Sequence, residues 1–328
     1  MEDKPIIKRL KSLEHRFGIP PFTIMDARQG YWQGRKRLWM DLGIQSEIGR
    51  EDKADTLKKA LPKGKALSAD KMTGTQLSSG ISIFDPVLCE LAYRWFCPEG
   101  GKVLDIFAGG SVRGIVASLI GLPYTGIDLR GVQVKANAEQ AKVICADHPM
   151  PEWIEGDARD CGALNRQFDY LFTCPPYGDL EVYSNDARDL SNMTYEQFRV
   201  GYAHAVKDSV KLLKPDRFAC IVVGDFRDKQ GFYRNFVSHT IEAYQNAGMH
   251  LYNEAILLTV AGSLPLRVGQ QFDAGRKLGK THQNVLVFYK GDPKNISKNF
   301  KPCLFGDSSL GSVLVGSGKT RKKSRFFV

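Results

Sequence analysis

The chain has no run of about eighteen apolar residues, the length a membrane-spanning helix needs, so an integral helical membrane protein is excluded. It has no Cys-x-x-Cys pair. Its seven cysteines, at positions 89, 97, 145, 161, 174, 220 and 303, are odd in number and scattered, which argues against both a disulfide framework and a cysteine-based zinc site. The six histidines (His15, His148, His204, His239, His250 and His282) also lack the spacing of metal ligands, so no metal is expected. No internal repeat is present. The first residues, Met-Glu-Asp-Lys-Pro, are charged and no apolar stretch with a cleavage site follows them, so a cytoplasmic protein is expected.

Base outnumbers acid at the two ends. Residues 1–80 hold 16 Lys and Arg against 10 Asp and Glu, and the last ten residues add Lys319, Arg321, Lys322, Lys323 and Arg325 with no acid. The net charge of +10 therefore sits on arms flanking a nearly neutral middle. Such arms suit contact with phosphates, or serve as solubilising tails. With 328 residues, 43% of them hydrophobic, the chain is long enough to bury a full core. Four parts are expected: a basic and aromatic N-terminal segment over 1–50, a linker over 51–80, a catalytic domain over 81–293 and a basic tail over 294–328.

Lys8 to His15 has the pattern of a short basic helix. After Pro20-Pro21 come Tyr31, Trp32, Arg35, Lys36, Arg37 and Trp39. Aromatics interleaved with bases suit nucleic-acid contact through Arg35, Lys36 and Arg37. They equally suit a helix that turns Tyr31, Leu38 and Trp39 inward and leaves its bases solvated. Residues 51–80 have little apolar periodicity.

From Phe84-Asp85-Pro86 onward the pattern is regular. Helical spacing over Val87, Leu88, Leu91, Ala92 and Trp95 ends at Pro98-Glu-Gly-Gly101. Strands are then expected over 102–107, 123–128, 152–155, 168–173 and 217–223, with helices over 112–120, 131–146 and 195–213. That alternation predicts an α/β, doubly wound, Rossmann-like sheet. Two further apolar runs, 251–260 and 284–290, flank a segment rich in Gly, Pro, Arg and Lys and are expected to form a long-looped antiparallel hairpin on one sheet edge.

The ends of these strands carry the chemistry. The first ends in Asp105-Ile-Phe-Ala-Gly-Gly-Ser111, a glycine corner that lets backbone approach a ligand at the carboxyl edge of the sheet. The second ends at Asp128, where a carboxylate can accept both hydroxyls of a ribose. The third ends at Asp157, placed beside an adenine amine. The fourth reads Leu171-Phe-Thr-Cys-Pro-Pro-Tyr177. Two prolines fix successive φ angles and remove two donors, so the carbonyls of Cys174 and Pro175 can only accept, which suits gripping an amine. Tyr177 offers a face on which a planar base can stack.

In these motifs residues 80–291 resemble the S-adenosylmethionine-dependent amino-methyltransferases of DNA, which methylate exocyclic amines of cytosine (N4) or adenine (N6). Residues 20–50 and 80–290 together are also similar to phage-encoded proteins described as DNA methylases. The resemblance implies a cofactor, S-adenosylmethionine, held by Phe84, Asp85, Asp105, Phe107, Ala108, Gly109, Gly110, Asp128 and Asp157. It implies a catalytic corner of Cys174, Pro175, Pro176 and Tyr177, and double-stranded DNA as the partner. Two positions depart from the family pattern. The second glycine of the first corner stands one position early, and Cys174 replaces the usual Asp, Asn or Ser. Serine is the nearest of these in shape to Cys, which leans the target toward cytosine.

No recognition insert lies between the two corners, so recognition must come from the N-terminal segment, the tail, or the 261–283 segment with Arg267, Arg276, Lys277 and Lys280. The polar stretch 178–192 reads as a base contact, a closing lid or a plain surface loop. Asp225, Arg227 and Asp228 read as an ion pair or as support for the base pocket. An RNA base-amine methyltransferase and a non-catalytic nucleic-acid-binding module on the same fold remain as alternatives.

Overall fold

A computed structural model describes residues 4–45, 83–178, 184, 186–303 and 305. The expected linker over 51–80 lies outside the described residues, as do residue 304 and those beyond Phe305 in the expected 294–328 tail, whose described part forms a short helix and buries Phe305. Along the chain run α1 (Lys4–Phe17), β1 (Ile24–Asp26), α2 (Gly30–Met40), α3 (Pro86–Phe96), β2 (Val103–Asp105), α4 (Val112–Leu119), β3 (Tyr124–Asp128) and α5 (Gly131–Ile144). These are followed by β4 (Glu152–Glu155), β5 (Phe168–Thr173), α6 (Tyr195–Leu212), β6 (Leu213–Val223), α7 (Phe236–Asn246), β7 (His250–Leu258), α8 (Pro265–Gly275), β8 (His282–Lys290) and α9 (Ile296–Asn299).

The strands form one eight-stranded sheet in the order β1-β7-β8-β6-β5-β2-β3-β4. All neighbours are parallel except β8, which is antiparallel to both β6 and β7. The α/β, Rossmann-like expectation with an antiparallel C-terminal hairpin therefore holds. The interior strands β2 and β5 are buried along their whole length, as expected of parallel strands covered on both faces. Their alternation feeds two cores. Tyr170 and Phe172 of β5 and Phe218, Cys220 and Val222 of β6 pack on one face, while Leu171, Ala219, Ile221 and Val223 pack on the other.

Local chemistry sets the helix ends. Asp85 caps α3 by accepting from the amides of Val87 and Leu88, and Pro86 occupies the first helical position, where its missing donor costs nothing. Thr194 and Gln197 form a reciprocal capping box at the start of α6.

The structure departs from the sequence expectations in four places. The 261–283 segment contains α8, whose Pro265 is a helix-start signal that the loop-like composition masked. None of its residues is buried. Helix α7, between β6 and β7, was not expected, although Phe236, Thr240, Ala243 and Tyr244 recur at helical spacing and are buried. β6 begins at Leu213 rather than 217 and runs through Asp216, at φ +57°. In the N-terminal segment, α1 extends to Lys4–Phe17, β1 joins the sheet beside β7, and α2 buries Trp32 and Trp39 while Tyr31 and Leu38 stay exposed.

Candidate active site

The glycine corner is built around a buried ion pair that the sequence reading missed. Asp105, fully buried at the end of β2, accepts from Arg113 Nε at 2.6 Å, from the Tyr124 hydroxyl at 2.8 Å and from Thr173 Oγ1 at 2.7 Å. Arg113 also donates through Nη2 to the carbonyls of Phe107 at 2.6 Å and Ala108 at 2.9 Å. One guanidinium thus fixes both the acid and the backbone of the corner. Burial works against the charge on Arg113, but the adjacent Asp105 outweighs it and leaves the guanidinium more firmly protonated than usual. The available signal was a single arginine in an otherwise apolar helix, since a charge in such a place needs a partner.

Gly109 sits at φ +53°, a conformation that side chains with a Cβ adopt at a cost. Its amide donates to Asp128 Oδ2 at 2.9 Å, and its carbonyl accepts from the buried Asn137 Nδ2 at 2.7 Å. Asp128 accepts a second backbone bond, from Arg130 N at 2.9 Å. These two backbone donors fix the direction of the carboxylate. The strand ends of β2 and β3 are therefore knit together around one half-buried carboxylate.

Phe84 and Asp85 reach the same corner from the start of α3. The Phe84 ring lies beneath the Arg113 guanidinium, 4.5 Å from centroid to Cζ, and meets Phe172 edge-on at 5.7 Å. Asp85, besides capping α3, accepts from Trp32 Nε1 at 3.2 Å and lies 3.2 Å from Lys36 Nζ. Asp157, at the end of β4, is engaged by Arg159 through its amide and guanidinium, with Nη2 at 2.5 Å. Burial pushes this carboxyl up, but the Arg159 bonds pull it below its ordinary value. An adenine amine reaching Asp157 would share the carboxylate with Arg159.

Thr173 joins the two corners. Its hydroxyl donates to Asp105 and accepts from the Phe107 amide at 3.2 Å, so the residue immediately before Cys174 is bonded to the glycine corner across adjacent strands. Cys174 is half-buried and Pro175 buried. The Tyr177 ring meets Phe226 edge-on at 6.1 Å and Phe236 at 6.3 Å, and its hydroxyl accepts from Gln283 Nε2 at 2.9 Å. Gly178 follows at φ +52°, where an added Cβ would lie 3.1 Å from the Phe226 ring. The chain must turn there at once, which sets the direction of Tyr177.

The basic residues divide. Lys280 lies near Tyr177: a Cβ on Gly224 would sit 3.3 Å from its Cε and 3.9 Å from the Tyr177 hydroxyl. Arg35 donates to the buried Glu90 at 2.7 and 2.5 Å and stacks over Phe305 at 4.7 Å, so it fastens α2 to α3. Arg37 and Arg267 are exposed, and exposed Arg276 lies 3.9 Å from Asp273. In the 178–192 stretch Arg188 pairs with Asp186, while Asp179, Glu181 and Tyr183 lie outside the described residues. Asp225 accepts from Val237 N, and Asp228 and Arg227 bond within their own turn, so neither acid pairs with Arg227.

Among the described residues no group of three or more His, Cys, Asp or Glu is arranged to hold a metal ion, and no helix is long and apolar enough to cross a membrane. A cavity of about 360 Å³, lined by Phe17, Met25, Trp95, Val285 and others, lies under the N-terminal segment and includes none of the residues of either corner.

No protein-family model matches the chain, and no curated protein matches it. Solved structures resemble it distantly. TrmN from Thermus thermophilus is 17% identical at a TM-score of 0.41, over 63% of this chain and 49% of that one, so the chain spans about half of its length. A TehB-like S-adenosylmethionine-dependent methyltransferase from Corynebacterium glutamicum is 19% identical at 0.38, over 65% and 90% of the two chains. Magnesium protoporphyrin IX methyltransferase from Synechocystis, solved with bound S-adenosylmethionine, is 11% identical at 0.40, over 88% and 98%. Likenesses this distant say nothing of substrate.

Proposed function

We propose that the chain is an S-adenosylmethionine-dependent methyltransferase acting on an exocyclic amine of cytosine or adenine in DNA. The observation that carries this reading is the Thr173 hydroxyl. By bonding Asp105 and the Phe107 amide, it sets the Cys174-Pro-Pro-Tyr177 corner directly beside the glycine corner and Asp128.

The donor set fits the cofactor. Asp128 is oriented to accept ribose hydroxyls, and the positive φ of Gly109 brings bare backbone to the sheet edge. Held by Asp128 and the Gly109 corner, the cofactor would supply an activated methyl group. The chain supplies position. The carbonyls of Cys174 and Pro175 accept the amine hydrogens, which directs the nitrogen lone pair and offsets its developing positive charge. Holding two groups in line at near-attack distance can supply roughly 7–11 kcal/mol of the barrier. Tyr177, braced by Phe226, Phe236 and Gln283, holds the base. A base taken from a duplex must first leave the stack, at a cost of a few kcal/mol that stacking and phosphate contacts offset.

The test is Tyr177→Ala. Transfer of labelled methyl to mixed-sequence DNA is expected to be nearly abolished, while cofactor affinity by calorimetry stays close to wild type. Equal loss of both would contradict the assignment of Tyr177 to the base rather than the cofactor.

A further inference from the structure

The turn that follows β6 is not accounted for by the cofactor or by the amine-gripping corner, yet it begins at the catalytic aromatic cluster. Phe226, buried at its base, is the residue whose ring meets Tyr177. From there Arg227 and Tyr233 form an isolated antiparallel bridge, and Asp228 Oδ1 accepts from the amides of Gly231 at 2.7 Å and Phe232 at 2.9 Å. The Asp228 amide donates to the Phe232 carbonyl at 2.9 Å, and Arg227 Nη1 donates to the Gly231 carbonyl at 2.8 Å. The loop is thus closed by its own hydrogen bonds. At its tip Phe232 is 73% exposed and Tyr233 is 43% exposed.

Two aromatics adjoin at this tip, so it presents a planar apolar surface rather than one scattered side chain. Its surroundings are cationic. The Arg227 guanidinium stacks on Tyr233 at 4.1 Å, Lys280 Nζ lies 5.8 Å from the same ring, and Lys277 closes over Gly231, where an added Cβ would be 2.7 Å from Nζ. Lys229 is exposed on the turn itself. Among the described residues none of Arg227, Lys229, Lys277 and Lys280 forms a salt bridge with an acid. Asp225 acts on Lys280 at longer range and Asp228 is engaged by the turn's own amides, so a hydrogen-bonded aromatic tip stands amid an excess of cations, the combination that binds stacked bases and their phosphates.

We propose that the Arg227–Arg234 turn is the nucleic-acid contact of this site, with Phe232 stacking on a base beside the target and Lys277 and Lys280 taking flanking phosphates. The inference rests on the reading that the site acts on nucleic acid. It differs from that reading in naming the element that replaces the stacking a neighbouring base loses when the target enters the Tyr177 corner.

The experiment measures binding of mixed-sequence single-stranded DNA, duplex DNA and RNA oligonucleotides by fluorescence anisotropy across a salt series. Phe232 is so exposed that Phe232→Ala leaves the fold unstrained. Removing one stacked aromatic is expected to weaken single-strand binding about 5- to 150-fold with the salt slope unchanged, and Phe232→Trp should restore it. The double variant Lys277→Ala/Lys280→Ala should instead lower the salt slope by about 1.4. The same pattern on RNA in preference to DNA would support the turn and move the substrate. Wild-type binding with no loss in Phe232→Ala would overturn the role of the turn and leave the methyltransferase reading standing. No binding of any of the three oligonucleotides by the wild type would overturn both.

Discussion

The Arg113 guanidinium lies 2.6 Å from the Asp105 carboxylate with both side chains buried, and the same guanidinium holds the carbonyls of Phe107 and Ala108. A buried pair contributes little relative to a well-packed apolar substitute, but removing one partner strands the other charge away from water. Arg113→Met should therefore cost about 3–5 kcal/mol in urea denaturation. Lysine cannot replace the fork that reaches the acid and two carbonyls together, so Arg113→Lys should recover only part of the loss. Equal stability of Arg113→Met and wild type would show that the corner does not depend on this pair.

Asp128 orients the Gly109 amide and faces the same edge, so Asp128→Ala should affect the cofactor before it affects the base. Loss of hydrogen bonds to a charged group is worth about 1.5–3 kcal/mol, or about 10- to 150-fold in cofactor affinity by calorimetry. Nucleic-acid binding measured without cofactor should not change.

Arg113, Thr173 and helix α7 show what could be read in the sequence and what could not. The alternating strands and helices, the acid at each strand end and the Pro-Pro-Tyr corner are local patterns, and the sheet forms where they indicate. Thr173 acts across adjacent strands on a residue 68 positions away, and a partner at that distance leaves no local trace, whereas Arg113, 8 positions from Asp105, left one as the lone charge of an apolar helix. α7 had a signal in its apolar spacing that was overlooked. α8 with its N-cap has Leu264, Val268 and Phe272 four apart but buries none of its residues, and the Gly, Pro, Arg and Lys of its segment masked that spacing. In α2 the choice of Trp32 over Tyr31 as the inward residue was settled by Asp85, which accepts its indole hydrogen.

The Tyr177 hydroxyl and its ring have separable duties. Tyr177→Phe loses the bond from Gln283, worth about 0.5–1.5 kcal/mol, but keeps the face proposed to hold a base. It should retain most methyl transfer and show a modest fall in thermal stability. Activity as low as that of Tyr177→Ala would mean that the hydroxyl itself takes part.

Asp169 sets a pH dependence. Burial pushes its carboxyl up, but bonds from Lys214 Nζ at 2.8 Å, the Lys102 amide at 3.1 Å and Arg217 Nε at 3.2 Å outweigh this and leave it below the ordinary 3.8. A depressed folded value means that the unfolded chain binds the proton first. The stabilisation is therefore complete above about pH 4 and is lost as pH falls through the folded value. Urea midpoints followed from pH 6 to pH 2 should fall less steeply at the acid end in Asp169→Asn, which starts from a lower plateau. Parallel curves would exclude the pairing as a source of the acid sensitivity.

The central claim is that a methyl group reaches an exocyclic amine of a base in DNA. Nucleoside mass spectrometry after incubating the protein and S-adenosylmethionine with mixed-sequence DNA, and separately with total RNA, tests it most directly. The account predicts N4-methylcytosine or N6-methyladenine in the DNA, absent from a Tyr177→Ala control. A product confined to RNA, or no methylated nucleoside in either, would contradict it.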